Sequence, residues 1–163
     1  MPYRILGLDP GLHLTGYAII ENDGMGVAVL EAGVLRGEGD GMPERLRSLH
    51  HGVAEVIATF VPQVVVVEQL YAHYAHPRTA ILMGHARGVL LLAAGERGLP
   101  VVHYHATQIK KTITGSGRAS KDQIQRTMQR ELGLATLPEP PDVADALAVA
   151  WCHYHQQKLP VGR

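Results

Sequence analysis

The sequence predicts an α/β fold built on a five-stranded mixed sheet, an antiparallel meander joined to parallel strands, with helices on both faces. Three observations carry this expectation. The N-terminal part reads as short strands separated by turn signals, residues 43–60 switch to a helical period, and Val64-Val65-Val66-Val67 is a continuous β-branched run of the kind found in strands covered on both faces. At 163 residues the chain is long enough for one domain with a proper core, expected over 1–158 with 159–163 as a short tail.

The first strand, apolar at Ile5, Leu6 and Leu8, stops at the turn-forming Asp9-Pro10-Gly11. Residues 15–21 read as a second strand, Asn22-Asp23-Gly24 as a hairpin turn, and 27–36 as a third strand. Over 43–60, Leu46, Leu49, Val53, Val56, Ile57 and Phe60 share one helical face, so this is an amphipathic crossover helix ended by Pro62. The valine run then forms a strand that Glu68 terminates. A polar and aromatic loop over 69–77 leads to a long apolar helix over 78–97. In that helix Gly84 and Gly88 stand four apart, a spacing that suits core packing or a dimer face. Residues 100–104 form another strand, helices flank Gly115-Ser116-Gly117, and Ser120 with Gln123 marks a helix start. A loop over 134–141 precedes a final helix opened by Asp142, with fraying expected after Gln156.

Composition narrows the function classes. Hydrophobic residues at 46% and charged ones at 18% describe a globular chain, not a disordered or coiled-coil one. No apolar run reaches bilayer length and no basic segment precedes a long apolar one, so no membrane partner and a cytoplasmic location are expected. The one cysteine, Cys152, reads as a buried, inert thiol. Net charge is zero, yet its distribution is uneven. Residues 106–130 hold six bases (Lys110, Lys111, Arg118, Lys121, Arg126, Arg130) and one acid, whereas 131–145 hold four acids and no base. A basic flank therefore adjoins an acidic stretch.

Acids stand at the ends of three strong elements: Asp9 and Glu68 where strands stop, Asp142 and Asp145 where a helix begins. Ligands in helix-covered sheets sit at such strand ends. Asp142 and Asp145 lie on one face of a first turn, an arrangement that equally suits helix capping. If all four acids converge, their repulsion is relieved most cheaply by divalent cations. Oxygen-only ligands favour Mg²⁺ or Mn²⁺. Two such ions about 3.5–4 Å apart drive in-line phosphodiester hydrolysis, with Asp9 the candidate to bridge them. Lys110 or Lys121 would neutralise phosphate charge or simply hold the backbone. The ten histidines lack metalloprotease spacing, so zinc is set aside and surface or strand-face positions are expected for them. Dinucleotide and phosphate-loop motifs are missing.

In order along nearly the whole chain, 5–11 (Ile-Leu-Gly-Leu-Asp-Pro-Gly) with Thr15-Gly16-Tyr17, Glu68-Gln69, 84–89 (Gly-His-Ala-Arg-Gly-Val), 108–111 (Gln-Ile-Lys-Lys) and 142–148 (Asp-Val-Ala-Asp-Ala-Leu-Ala) recur in one family. Together they closely resemble the RuvC Holliday-junction resolvase family. The resemblance implies a ribonuclease-H-like fold and a homodimer. The implied activity is Mg²⁺-dependent paired nicking of four-way junction DNA in homologous recombination and repair, with a branch-migration motor complex as partner. It implies Asp9, Glu68, Asp142 and Asp145 as catalytic acids and metal ligands for two Mg²⁺ per active site, Mn²⁺ substituting. It places Tyr71 in the loop after Glu68, to wedge or stack at the opened junction, against the plainer reading of a tyrosine packed under its own loop. Lys110 and Lys121 match basic positions near the scissile phosphate. With Arg78, Lys111 and Arg118 they complete the candidate DNA contacts. Two features depart from the pattern: the zero net charge is low for a DNA binder, and the tail after the last helix is short.

The enzymatic alternative is a ribonuclease-H-like nuclease acting on RNA in ribosomal RNA maturation, which shares the Leu-Gly-x-Asp start but not the later glycine-rich helix. A sugar-kinase or actin-like ATPase would need a second glycine-rich phosphate loop. A non-catalytic junction-binding scaffold would keep the basic region without needing all four acids.

Overall fold

The structure, a computed structural model, describes residues 1–70 and 76–158. The expected tail, 159–163, lies outside the described residues. Strands β1 (Tyr3–Asp9), β2 (Leu14–Asn22) and β3 (Val27–Arg36) form an antiparallel meander. Next come α1 (Met42–Phe60), β4 (Val64–Glu68), α2 (Pro77–Glu96), β5 (Val101–Tyr104), α3 (Ala106–Thr114), α4 (Lys121–Glu131) and α5 (Pro141–Lys158). The five strands lie in the order β3-β2-β1-β4-β5, with β4 and β5 parallel to β1. This mixed sheet is the one expected, and it puts β1 at the centre.

Strand alternation divides the core into two layers. Leu6, Leu8, Ile19, Val65 and Val67 face α1 and α2 and meet Val53, Ile57, Leu90 and Ala94. Ile5, Ala18, Ile20, Val64 and Val66 face the other way, onto α5, with Ile109 of α3 and Ile124 and Met128 of α4 behind it. The valine run of β4 is thus covered on both sides, which is why its sequence shows no alternation. Helix α5 lies unusually close to the sheet: a Cβ on Gly7 would stand 2.2 Å from the Ala146 carbonyl oxygen and 2.9 Å from the Ala150 Cβ. Only glycine on β1 allows that approach.

Helix α4 starts as its sequence requires. The Ser120 hydroxyl accepts from the Gln123 N–H while the Gln123 side chain accepts from the Ser120 N–H. Three expectations need correction. Asp142 does not cap α5, because Pro141 already occupies a helical position. The helix does not fray after Gln156 but runs to Lys158. Nor is every histidine on a surface: His153 is buried, its Nδ1 2.8 Å from the Tyr104 hydroxyl. Cys152 is buried as expected. Among the described residues no helix is long and apolar enough to cross a membrane.

Candidate active site

The register of the parallel pair, Leu8 beside Val67, sets Asp9 next to Glu68 where the two strands end. Both continue the alternation of Ile5, Gly7, Val64 and Val66, so both point to the α5 side of the sheet. Across β1, Asp9 pairs with Gly16 of β2. A Cβ at Gly16 would lie 2.0 Å from the Asp142 carbonyl oxygen, so that glycine is the seat on which the first turn of α5 rests. The turn after Asp9 is fixed by buried Thr15, whose hydroxyl accepts from the Gly11 N–H (3.2 Å) and donates to the Gly11 carbonyl (2.8 Å). Neither glycine nor Thr15 was assigned a role from sequence, although an isolated glycine in an apolar strand signals close backbone approach.

These elements bring Asp9, Glu68, Asp142 and Asp145 to the wall of one cleft of about 360 Å³, with Lys110 and Lys121 on its rim. Lys121 Nζ stands 3.9 Å from Asp145 Oδ2. The other candidates are dispersed: Arg78 is exposed on the first turn of α2, and Lys111 and Arg118 are exposed beside the α3–α4 turn. None of the three lines the cleft. Tyr71 falls in 71–75, outside the described residues.

Burial pushes the Asp9 carboxyl from the usual 3.8 to about 8, reinforced by Asp145, Asp142 and Glu68 and opposed by Lys121. Glu68 is raised by burial and then by Asp145, against the pull of Lys110, Lys121 and Arg87. Asp145 is raised by burial and by Asp142, and it is eased by Lys121, Lys110 and a hydrogen bond with Asp9. Burial and the neighbouring acids thus keep Asp9 protonated near neutrality. Among the described residues no three His, Cys, Asp or Glu side chains are already gathered at ligating separation. The acids stand around the cleft and their like charges repel one another. An all-oxygen donor set with excess negative charge suits a hard divalent cation.

Residues 5–153 match the sequence profile described as "Crossover junction endodeoxyribonuclease RuvC". The chain belongs to the RuvC family. It is 50% identical over 158 residues to the crossover junction endodeoxyribonuclease RuvC of Rhodopirellula baltica, covering 96% of this chain and 89% of the relative. Its fold superposes with a TM-score of 0.88 on Thermus thermophilus RuvC in complex with a Holliday junction substrate. That chain is 31% identical, and the match covers 96% of this chain and 95% of the other. A yeast mitochondrial Holliday junction resolvase shares the fold alone, at a TM-score of 0.63 and 17% identity over 95% of this chain and 80% of the other. The RuvC chain therefore has the ribonuclease-H-like fold of the junction resolvases. These relatives carry the names of DNA-junction nucleases, which sets aside the RNA-processing and scaffold alternatives.

Proposed function

We propose that this RuvC chain resolves four-way DNA junctions by hydrolysing one phosphodiester per subunit, with Asp9, Glu68, Asp142 and Asp145 as its divalent-metal ligands. The observation that carries the reading is the convergence of these four acids, from β1, β4 and α5, on a single cleft with two lysines at its rim. When bound, two Mg²⁺ ions, or Mn²⁺ in their place, supply an activated water and a steadied leaving oxygen. Asp9 would give up its proton as a cation binds, and Lys121 and Lys110, which draw Glu68 and Asp145 toward the ionised form, meet the phosphate.

Arg78, Lys111 and Arg118 hold flanking phosphates, and Tyr71 stacks at the opened junction. Gly84 and Gly88 would place an added Cβ in open space, and Ile81 and Leu92 are exposed large apolar residues on the same helix. Core packing therefore does not account for the glycines, and α2 is the face for a homodimer whose two clefts cut paired strands. A branch-migration motor delivers the junction in the cytoplasm. The test is incubation with a labelled four-way junction, linear duplex and RNA–DNA hybrid, with and without Mg²⁺. Paired, metal-dependent nicks in the junction alone are expected, and equal cutting of all three removes the selectivity.

A further inference from the structure

Glu68 is the last residue of β4, and the peptide that joins it to Gln69 is held at both ends. The Gln69 N–H donates to the Tyr104 carbonyl of β5 at 2.7 Å. The Glu68 carbonyl accepts from Nη1 of Arg87 at 2.5 Å, and the other guanidinium nitrogen of Arg87 donates to Nδ1 of His103. The donor to Glu68 comes from a helix because the sheet has none to offer. Val65 and Gln69 both donate to β5, so the alternation of a parallel ladder turns the Glu68 carbonyl toward β1. Continued past the last paired residues, Leu8 and Val67, the β1–β4 register would bring residue 10, just beyond β1, as the next donor, and it is a proline without an N–H.

We infer that Arg87 is a positioning residue for catalysis, replacing the donor that Pro10 removes and so fixing the backbone from which Glu68 reaches the cleft. This rests on the reading of Glu68 as a metal ligand. The guanidinium is suited to the task because its fork serves two acceptors at once, Glu68 on β4 and His103 on β5, and ties both strand ends to α2. His103 accepts at Nδ1 and so is neutral there.

The test is Mn²⁺ binding to the DNA-free protein followed by its EPR signal, beside cleavage and junction-binding measurements. Arg87→Met is expected to weaken Mn²⁺ binding and lower kcat by about 10-fold or more, the usual effect of losing an outer-shell partner, with junction Kd unchanged within about twofold. Arg87→Lys, which keeps one donor, recovers part of both. Adding Pro10→Ala to Arg87→Met returns an N–H to β1 and recovers part of the Mn²⁺ affinity. Unchanged Mn²⁺ binding with weakened junction binding overturns the inference and makes Arg87 a phosphate contact. So does a double variant no better than Arg87→Met, with Arg87→Lys no better either. Glu68→Gln run alongside separates the two readings: if it leaves Mn²⁺ binding intact, the ligand assignment fails, whatever Arg87 does.

Discussion

The Asp142 carbonyl oxygen lies 2.0 Å from the point where a Cβ on Gly16 would stand. Gly16→Ala therefore pushes the first turn of α5 off β2 and carries Asp142 and Asp145 with it. The expected cost is about 1–3 kcal/mol from overpacking, together with a fall in cleavage rate. Gly95→Ala, where an added Cβ meets open space at an exposed position of α2, should instead stabilise by up to about 1 kcal/mol. Thermal melts and junction cleavage of the pair check both outcomes.

Asp9→Asn removes the central carboxylate with little change of shape. Junction binding should persist while cleavage with Mg²⁺ drops by roughly a thousandfold, about 4 kcal/mol of transition-state stabilisation. Gel-shift and cleavage assays on the same junction decide it, and retained cleavage takes Asp9 out of the mechanism.

The raised carboxyls give the metal-free protein a distinctive pH response. Asp9 titrates near 3.8 when unfolded and about 8 when folded, so the native state holds a proton the unfolded chain has lost between those values. That stability is fully present below about pH 4 and is lost as pH rises through about 8. Melting temperature without metal should fall from pH 5 to pH 8.5. Mg²⁺ should raise it most at the alkaline end, where no proton has to leave. A melt series that is flat across this range contradicts a raised Asp9 carboxyl.

Lys121 opposes the raised pKa of all three shifted acids of the cleft, Asp9, Glu68 and Asp145. Lys121→Met should move the pH midpoint of Mn²⁺ binding upward and reduce cleavage. Arg118→Ala, remote from the cleft, should leave that midpoint in place and reduce the salt slope of junction binding by about one. Metal titrations at several pH values and binding at several salt concentrations separate the two roles.

A Cβ at Gly88 meets no atom within 4 Å, so the position is open, and a long side chain there would occupy the proposed dimer face. Gly88→Arg should sediment as a monomer, retain Mn²⁺ binding and lose paired cutting of a junction. A dimer at the same concentration as the parent chain locates the interface elsewhere.

Much of this fold was legible because each strand and helix announces itself locally: the hairpin turn at Asn22-Asp23-Gly24, the valine run of β4 and the Ser120–Gln123 box all behave as their residue types require. The acids were legible as positions, since each ends or begins an element. Their convergence was not, because it depends on β1 and β4 being neighbours in register and on α5 crossing over Gly7 and Gly16. Capping seemed the plainer role for Asp142 because sequence alone does not show that Pro141 is already helical. Arg87 was invisible for a similar reason: its value comes from a missing N–H at Pro10, far away in the chain, and no local pattern records a long-range absence.

The cleft draws its acids from the first strand, the fourth and the last helix, so its completion waits on residue 141 and beyond. As the chain leaves the ribosome, most of the sheet can assemble while two of the four acids are still untranslated. A nascent polypeptide stalled before α5 would carry Lys110 and Lys121 but lack Asp142 and Asp145, so the four-acid cleft would be incomplete.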